Sequence, residues 1–163
     1  MSPPASYLYG LISPDDLVGM AGQQILQAML EGRLPQAPIC ETLNFWLTEV
    51  GEGTAVFEGD PDHRLRGPGP AMHGGWALTL MDIATAAAGW TVVPLGESYV
   101  TIETKCNFSR PITLETGRGR AEGKASVQAG ESSPAKGWIR NTAGRLLAHG
   151  TSTLLVMSPV ATG

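Results

Sequence analysis

From Gly74 to Trp90 the chain offers only three polar side chains, Thr79, Asp82 and Thr85, in a run that is otherwise apolar or small. Their spacing, i, i+3 and i+6, puts them on one face of a helix. A helix that is apolar on most other sides has to be buried, so the rest of the chain must wrap around it. An Asp in the middle of such a helix is costly unless it is paired or used. His73, Gly74 and Gly75 stand where the helix should begin. There the backbone N–H groups have no intrahelical acceptor and the dipole end is positive. Without Cβ atoms, the two glycines let a ligand oxygen approach those N–H groups. One stretch therefore pairs an oxyanion site with a carboxylate two turns further on.

The flanking sequence supplies the wrapping. Residues 1–12 read as a flexible arm, and Ser13-Pro14-Asp15-Asp16 is a helix start with Ser as N-cap, Pro in the first turn and acids at the positive end. Leu17, Ala21, Ile25, Ala28 and Met29 then recur at helical spacing, which predicts a helix over about 13–32. From Leu43 to Val50 and from Thr54 to Glu58 the residues read as two strands joined by Gly51-Glu52-Gly53. The Pro- and Gly-rich stretch 60–70 is a loop leading into His73. Beyond the central helix, Val100, Ile102, Thr104, Cys106 and Phe108 alternate with Thr101, Glu103, Lys105 and Asn107, at strand spacing. Residues 118–128 alternate polar with mostly small side chains, a face that lets a sheet close in on a helix. Residues 135–140 and 145–157 read as two more strands around the turn Asn141-Thr142-Ala143-Gly144, and 158–163 as a tail. The order is that of a single α+β domain over 13–157, with an antiparallel sheet around one long helix and an extra N-terminal helix.

Composition narrows the function. A hydrophobic content of 42% and a charged content of 16% belong to a globular chain. The net charge of −4 argues against nucleic acid as a partner. Residues 1–100 hold 3 basic and 11 acidic side chains, whereas residues 101–163 hold 8 and 4, so an anionic ligand would be met by the second half. Two cysteines, Cys40 and Cys106, make no disulfide framework and suit a reducing, cytoplasmic setting. No apolar run is long enough for a membrane span. No His, Cys and acid spacing suggests a metal.

In its motifs the chain resembles the hotdog-fold acyl-CoA thioesterases of the phenylacetate-degradation type, over roughly residues 36–157. The residues that carry the resemblance are His73-Gly74-Gly75 with an acid nine positions after the His, Phe108-Ser109-Arg110-Pro111, and the closing segment Asn141 to Gly150. The resemblance implies a hotdog fold and hydrolysis of a CoA thioester to free acid and CoA. It needs no cofactor, since CoA is part of the substrate. It makes Asp82 the catalytic carboxylate, as general base or as nucleophile, and the Gly74 N–H the donor to the thioester carbonyl. His73 takes a positioning role, and Thr101 the place of an assisting hydroxyl. Gly75, Ser132, Ser133 and Arg110 are candidate contacts for substrate and CoA. Trp76 and Trp90 are core or acyl-pocket walls. The sequence departs from the family at Gly67, where Asn or Gln is common, and at Glu131-Ser132-Ser133, where a basic pair is common.

Two other functions compete with this one. A non-catalytic acyl-CoA binding or sensing protein is suggested by Gly67. A hotdog hydratase fits poorly, because Asp60-Pro61-Asp62-His63 lacks the Asp and His set that reaction needs. The geometry also predicts a partner. Seven residues at about 1.5 Å rise separate Gly75 from Asp82 by roughly 10 Å, whereas one reacting carbon must lie within about 3–3.5 Å of its attacking group. Two antiparallel copies can meet both demands, and the resembling family is built so, as a homodimer with shared sites that doubles to a tetramer.

Overall fold

A computed structural model of the chain describes residues 7–125 and 132–157. Helices α1 (Pro14–Leu17), α2 (Gly22–Leu30) and α3 (Pro38–Thr42) precede a hairpin of β1 (Phe45–Gly51) and β2 (Thr54–Gly59). The hairpin turns at Gly53, whose φ is +66°. The long helix α4 (Gly74–Trp90) follows, and then β3 (Ser98–Phe108), β4 (Gly119–Ala125), β5 (Ser132–Asn141) and β6 (Leu146–Met157). All six strands form one sheet in the order β1-β2-β4-β5-β6-β3, every neighbouring pair antiparallel. This is the α+β architecture expected from the sequence, with α4 as the buried axis. No helix among the described residues is long and apolar enough to cross a membrane.

The sheet closes on α4 through a row of glycines. Gly123, Gly137 and Gly150 lie side by side on β4, β5 and β6. A Cβ on Gly123 would run into the carbonyl oxygen of Ala84, and one on Gly137 into the sulfur of Met81. The helix side of the contact is equally small, with Ala77, Ala84, Ala87 and Ala88 all buried. Larger side chains then fill the space to either side. Phe45, Leu47, Leu80, Met81, Ile139, Leu147 and Leu154 are fully buried, and Phe45 meets Phe57 edge-to-face with ring centroids 6.5 Å apart. Trp76 belongs to this core, its indole N–H donating to the Leu43 carbonyl at 2.8 Å.

Three sequence expectations are corrected. The N-terminal helix is two helices, because Gly19 takes φ +74° and breaks the chain between Leu17 and Gly22. Residues 7–10, expected as a flexible arm, are tied down. The Tyr7 hydroxyl donates to the Leu47 carbonyl, and Leu8 and Gly10 exchange backbone bonds with Gln36. The even alternation along β3 fails, because its pairing with β6 shifts between Thr101 and Glu103. This bulge reverses which side chains face α4. Tyr99 and Thr101 face in before it, Thr104 and Cys106 after it, and Val100 and Ile102 are left 42% and 58% exposed.

Candidate active site

The start of α4 is fixed from its own sequence. His73 is the N-cap, and its Nδ1 accepts the N–H of Gly75 at 3.0 Å. An imidazole that accepts at Nδ1 carries its proton at Nε2. The His73 N–H is itself held by the Leu65 carbonyl at 2.9 Å. The Gly75 N–H is thus committed to the cap, so of the two glycines expected to meet a ligand it is Gly74 that keeps an N–H without an intrahelical acceptor. Gly74 lies on a cavity of about 220 Å³ with His73, Ala77, Phe108, Ser109 and Arg110. A Cβ on Gly74 would stand 3.3 Å from the Phe108 ring.

Two turns along α4, Asp82 is half-buried and held by a line of hydroxyls. Thr104 donates to Asp82 Oδ1 at 2.7 Å. Ser152 Oγ lies 3.1 Å from the Thr104 hydroxyl, and Thr85 Oγ1 lies 2.6 Å from Ser152. Ser152 and Thr85 are 2% and 0% exposed. Because Thr104 gives its one hydrogen to the carboxylate, Ser152 is left to donate to Thr104, while the Thr85 hydroxyl also has the Met81 and Asp82 carbonyls in reach, each at 3.0 Å. Thr79, on the same helix face, instead donates back to the Gly75 carbonyl at 2.8 Å. Burial, and secondly the Asp82 carboxylate, push the phenol of neighbouring Tyr99 up.

The expected residues are therefore partly assembled. Asp82 and Thr101 line one cavity, of about 940 Å³, together with Thr79. The hydroxyl on Asp82, however, comes from Thr104 and not from Thr101. Sequence reasoning missed Thr104 and Ser152. The signal for Ser152 was present, since it is the polar member of the inward series Ala148, Gly150, Ser152 and Leu154. His73, Gly74 and Arg110 gather at the other cavity. Arg110 is exposed, with one guanidinium N–H on the Leu146 carbonyl at 2.8 Å. Ser132 and Ser133 open β5 opposite Leu155 and Leu154; their side chains lie outside the described residues, as does Glu131. Gly67 donates its N–H to the Ala71 carbonyl at 3.0 Å in the loop before His73. Burial pushes Cys40 up to about 12 and raises Cys106 as well, so neither thiol suits a nucleophile.

Comparisons with known proteins agree with this fold. The family described as Thioesterase superfamily matches residues 69–125. No curated protein matches the chain. Among solved structures, the chain is similar to a phenylacetic acid degradation-related protein from Ralstonia eutropha, at 21% identity and a TM-score of 0.72, covering 80% of this chain and 98% of that one. A thioesterase family protein from Silicibacter pomeroyi matches at 20% identity and a TM-score of 0.72, with 85% and 99% covered. A thioesterase from Haemophilus influenzae matches at 21% identity and a TM-score of 0.69, with 76% and 85% covered. Fold and matched segment together identify the chain as a hotdog-fold protein that resembles the thioesterase superfamily through the segment carrying Gly74 and Asp82.

Proposed function

We propose that the protein hydrolyses acyl-CoA thioesters, with Asp82 as the reacting carboxylate and the Gly74 N–H as the oxyanion donor. The observation that carries this reading is the Thr104 hydrogen bond at 2.7 Å to Asp82 Oδ1. It fixes one oxygen of the carboxylate on the sheet side while the group lines an open cavity. A carboxylate held in this way can take a proton from water. The resulting hydroxide attacks the thioester carbon, the tetrahedral oxyanion is stabilised by the Gly74 N–H, and the C–S bond breaks as Asp82 passes its proton to the departing CoA sulfur. Alternatively the carboxylate attacks the carbon itself, the C–S bond breaks to expel CoA as its thiolate, and water then opens the resulting anhydride to the free acid and Asp82. Single turnover in H2 18O tests the nucleophile route, since 18O in Asp82 arises only from an anhydride that water opens at the Asp82 carbonyl carbon.

Gly74 and Asp82 lie on different cavities of one chain. A shared site in a homodimer reconciles them, with the helix start of one chain beside Asp82 of its partner. The edge strand β3 supports such pairing. It ends the sheet and exposes Val100, Ile102 and Phe108, an apolar edge that a second copy would cover. The resemblance extends this to a dimer of dimers. Arg110 shares a cavity with Gly74 and is the candidate to meet an anionic group of CoA. A second reading, acyl-CoA binding without turnover, is favoured by Gly67, which brings no side chain to orient water or the carbonyl. Release of free CoA from a panel of acyl-CoA thioesters tests the choice: turnover supports the hydrolase, and tight binding without turnover supports the sensor.

A further inference from the structure

The cavity beside Asp82 has walls that no part of the proposed chemistry uses. Its volume is about 940 Å³, at the upper end of what ligand pockets of about 300–1,000 Å³ offer. Thr79, Asp82 and Thr101 mark its polar end. Away from them the walls are apolar, built from Leu17, Val18, Ile25, Ile83 and Trp90. Trp90 and Tyr99 meet with ring centroids 5.7 Å apart, forming an aromatic end wall. Only Asp82, Glu97 and Tyr99 among the lining side chains ionise.

Two observations point to an occupant. Val18, Ile39 and Leu95 all line the cavity, yet stand 78%, 44% and 63% exposed. Apolar surface gathered around one concavity marks a binding site. The cavity is also continuous with the carboxylate, so a group seated in it is attached to whatever reacts at Asp82. An acetyl group would leave most of these walls in water. The outer wall comes from residues 14–25, which lie before the segment matched to the thioesterase superfamily.

We propose that this cavity takes the acyl group, that it selects long apolar acyl chains over short ones, and that residues 14–25 form the selecting wall. The inference rests on the reading of Asp82 as the reacting carboxylate of a thioester hydrolase. Each methylene seated against the wall leaves water, which strengthens binding about fourfold. A charged or hydroxylated chain would meet no complementary group along Leu17, Val18, Ile25, Ile83 and Trp90, since the polar lining beyond the Asp82 end is confined to Glu97, Ser98 and Tyr99.

The test measures kcat/KM for acetyl-, butanoyl-, hexanoyl-, octanoyl- and decanoyl-CoA. Wild type should show a steady rise of about threefold to fourfold per methylene. Val18→Asp should flatten the series, and Leu95→Asp should do the same from the opposite rim. Leu11→Asp alters a side chain 88% exposed and outside the cavity lining, and should keep the wild-type slope. Melting curves should coincide for all four proteins, since each changed side chain is exposed. A flat or falling series in wild type, or an undiminished slope in both rim variants, overturns the inference while leaving the hydrolase reading intact. If no thioester is turned over, the hydrolase reading fails, and calorimetry with decanoate and butanoate decides the cavity. Tighter binding of decanoate that Val18→Asp weakens supports it, and equal binding of the two overturns it.

Discussion

Thr104 on β3 donates its hydroxyl hydrogen to Asp82 on α4 at 2.7 Å, tying the edge strand to the middle of the buried helix. A hydrogen bond to a charged group contributes about 1.5–3 kcal/mol, and here it also fixes which carboxylate oxygen faces the cavity. Thr104→Val keeps the shape of the side chain and removes the donor. Its kcat should fall roughly 10-fold or more with KM little changed, because a misplaced reacting group hurts the transition state more than binding. Thr104→Ser should restore most of the loss. An active Val variant with wild-type kcat would show that the bond does not position Asp82.

Much of this site could be read from the sequence, and the missing parts share a cause. The helix from Gly74 to Trp90, its polar face and its glycine start follow from local spacing, so they were legible. The meeting of Thr104 with Asp82 was not, because the bulge between Thr101 and Glu103 turns Val100 and Ile102 out and Thr101 in, and so decides which β3 side chains share the helix face with Thr104. That bulge exists only in the pairing with β6, and strict alternation passes over it. The break at Gly19 was hidden for a related reason, since a glycine signals a helix break only when its φ is known. The tie between Gln36 and residues 8–10 joins segments more than 25 residues apart and leaves no periodic trace.

The glycine row under α4 should be among the least tolerant parts of the molecule. Gly137→Val would force a side chain into Met81 and Thr85. Overpacking of a closed core costs about 1–3 kcal/mol, which in a chain of this size lowers Tm by roughly 2–12 °C. An unchanged Tm by differential scanning calorimetry would mean that sheet and helix are not in such close contact.

Cys40 should be silent toward thiol reagents. Burial pushes its thiol up to about 12, so at pH 8 it is the neutral, unreactive form. A folded-state value above the unfolded one, about 8.5, means that the unfolded chain loses this proton first. The stability that comes from keeping the thiol neutral is whole below about pH 8.5 and is lost as pH rises toward 12. Native protein treated with iodoacetamide at pH 8 should carry no label at Cys40 by peptide mass mapping, and Tm should decline above pH 9. Rapid native labelling of Cys40 would contradict its burial.

A shared site predicts complementation. Asp82→Ala chains lack the carboxylate, and Gly74→Val chains place a side chain against Phe108 where the oxyanion should sit. Each variant alone should be inactive. After subunit exchange, half of the dimers carry one intact site, so roughly a quarter of wild-type activity should return. Mixed dimers verified by native mass spectrometry but showing no recovery would place both groups in the same chain's site.

The central claim is that Asp82 performs thioester hydrolysis, and the direct measurement is steady-state release of CoA by wild type and by Asp82→Asn on the same acyl-CoA. The Asn side chain preserves size and can still accept from Thr104, so the fold should hold, with unchanged Tm as the check. The substitution should lower kcat by roughly 10²–10⁴-fold, the range for loss of a positioned acid–base or nucleophilic group. Wild-type turnover by a folded Asp82→Asn protein would contradict it.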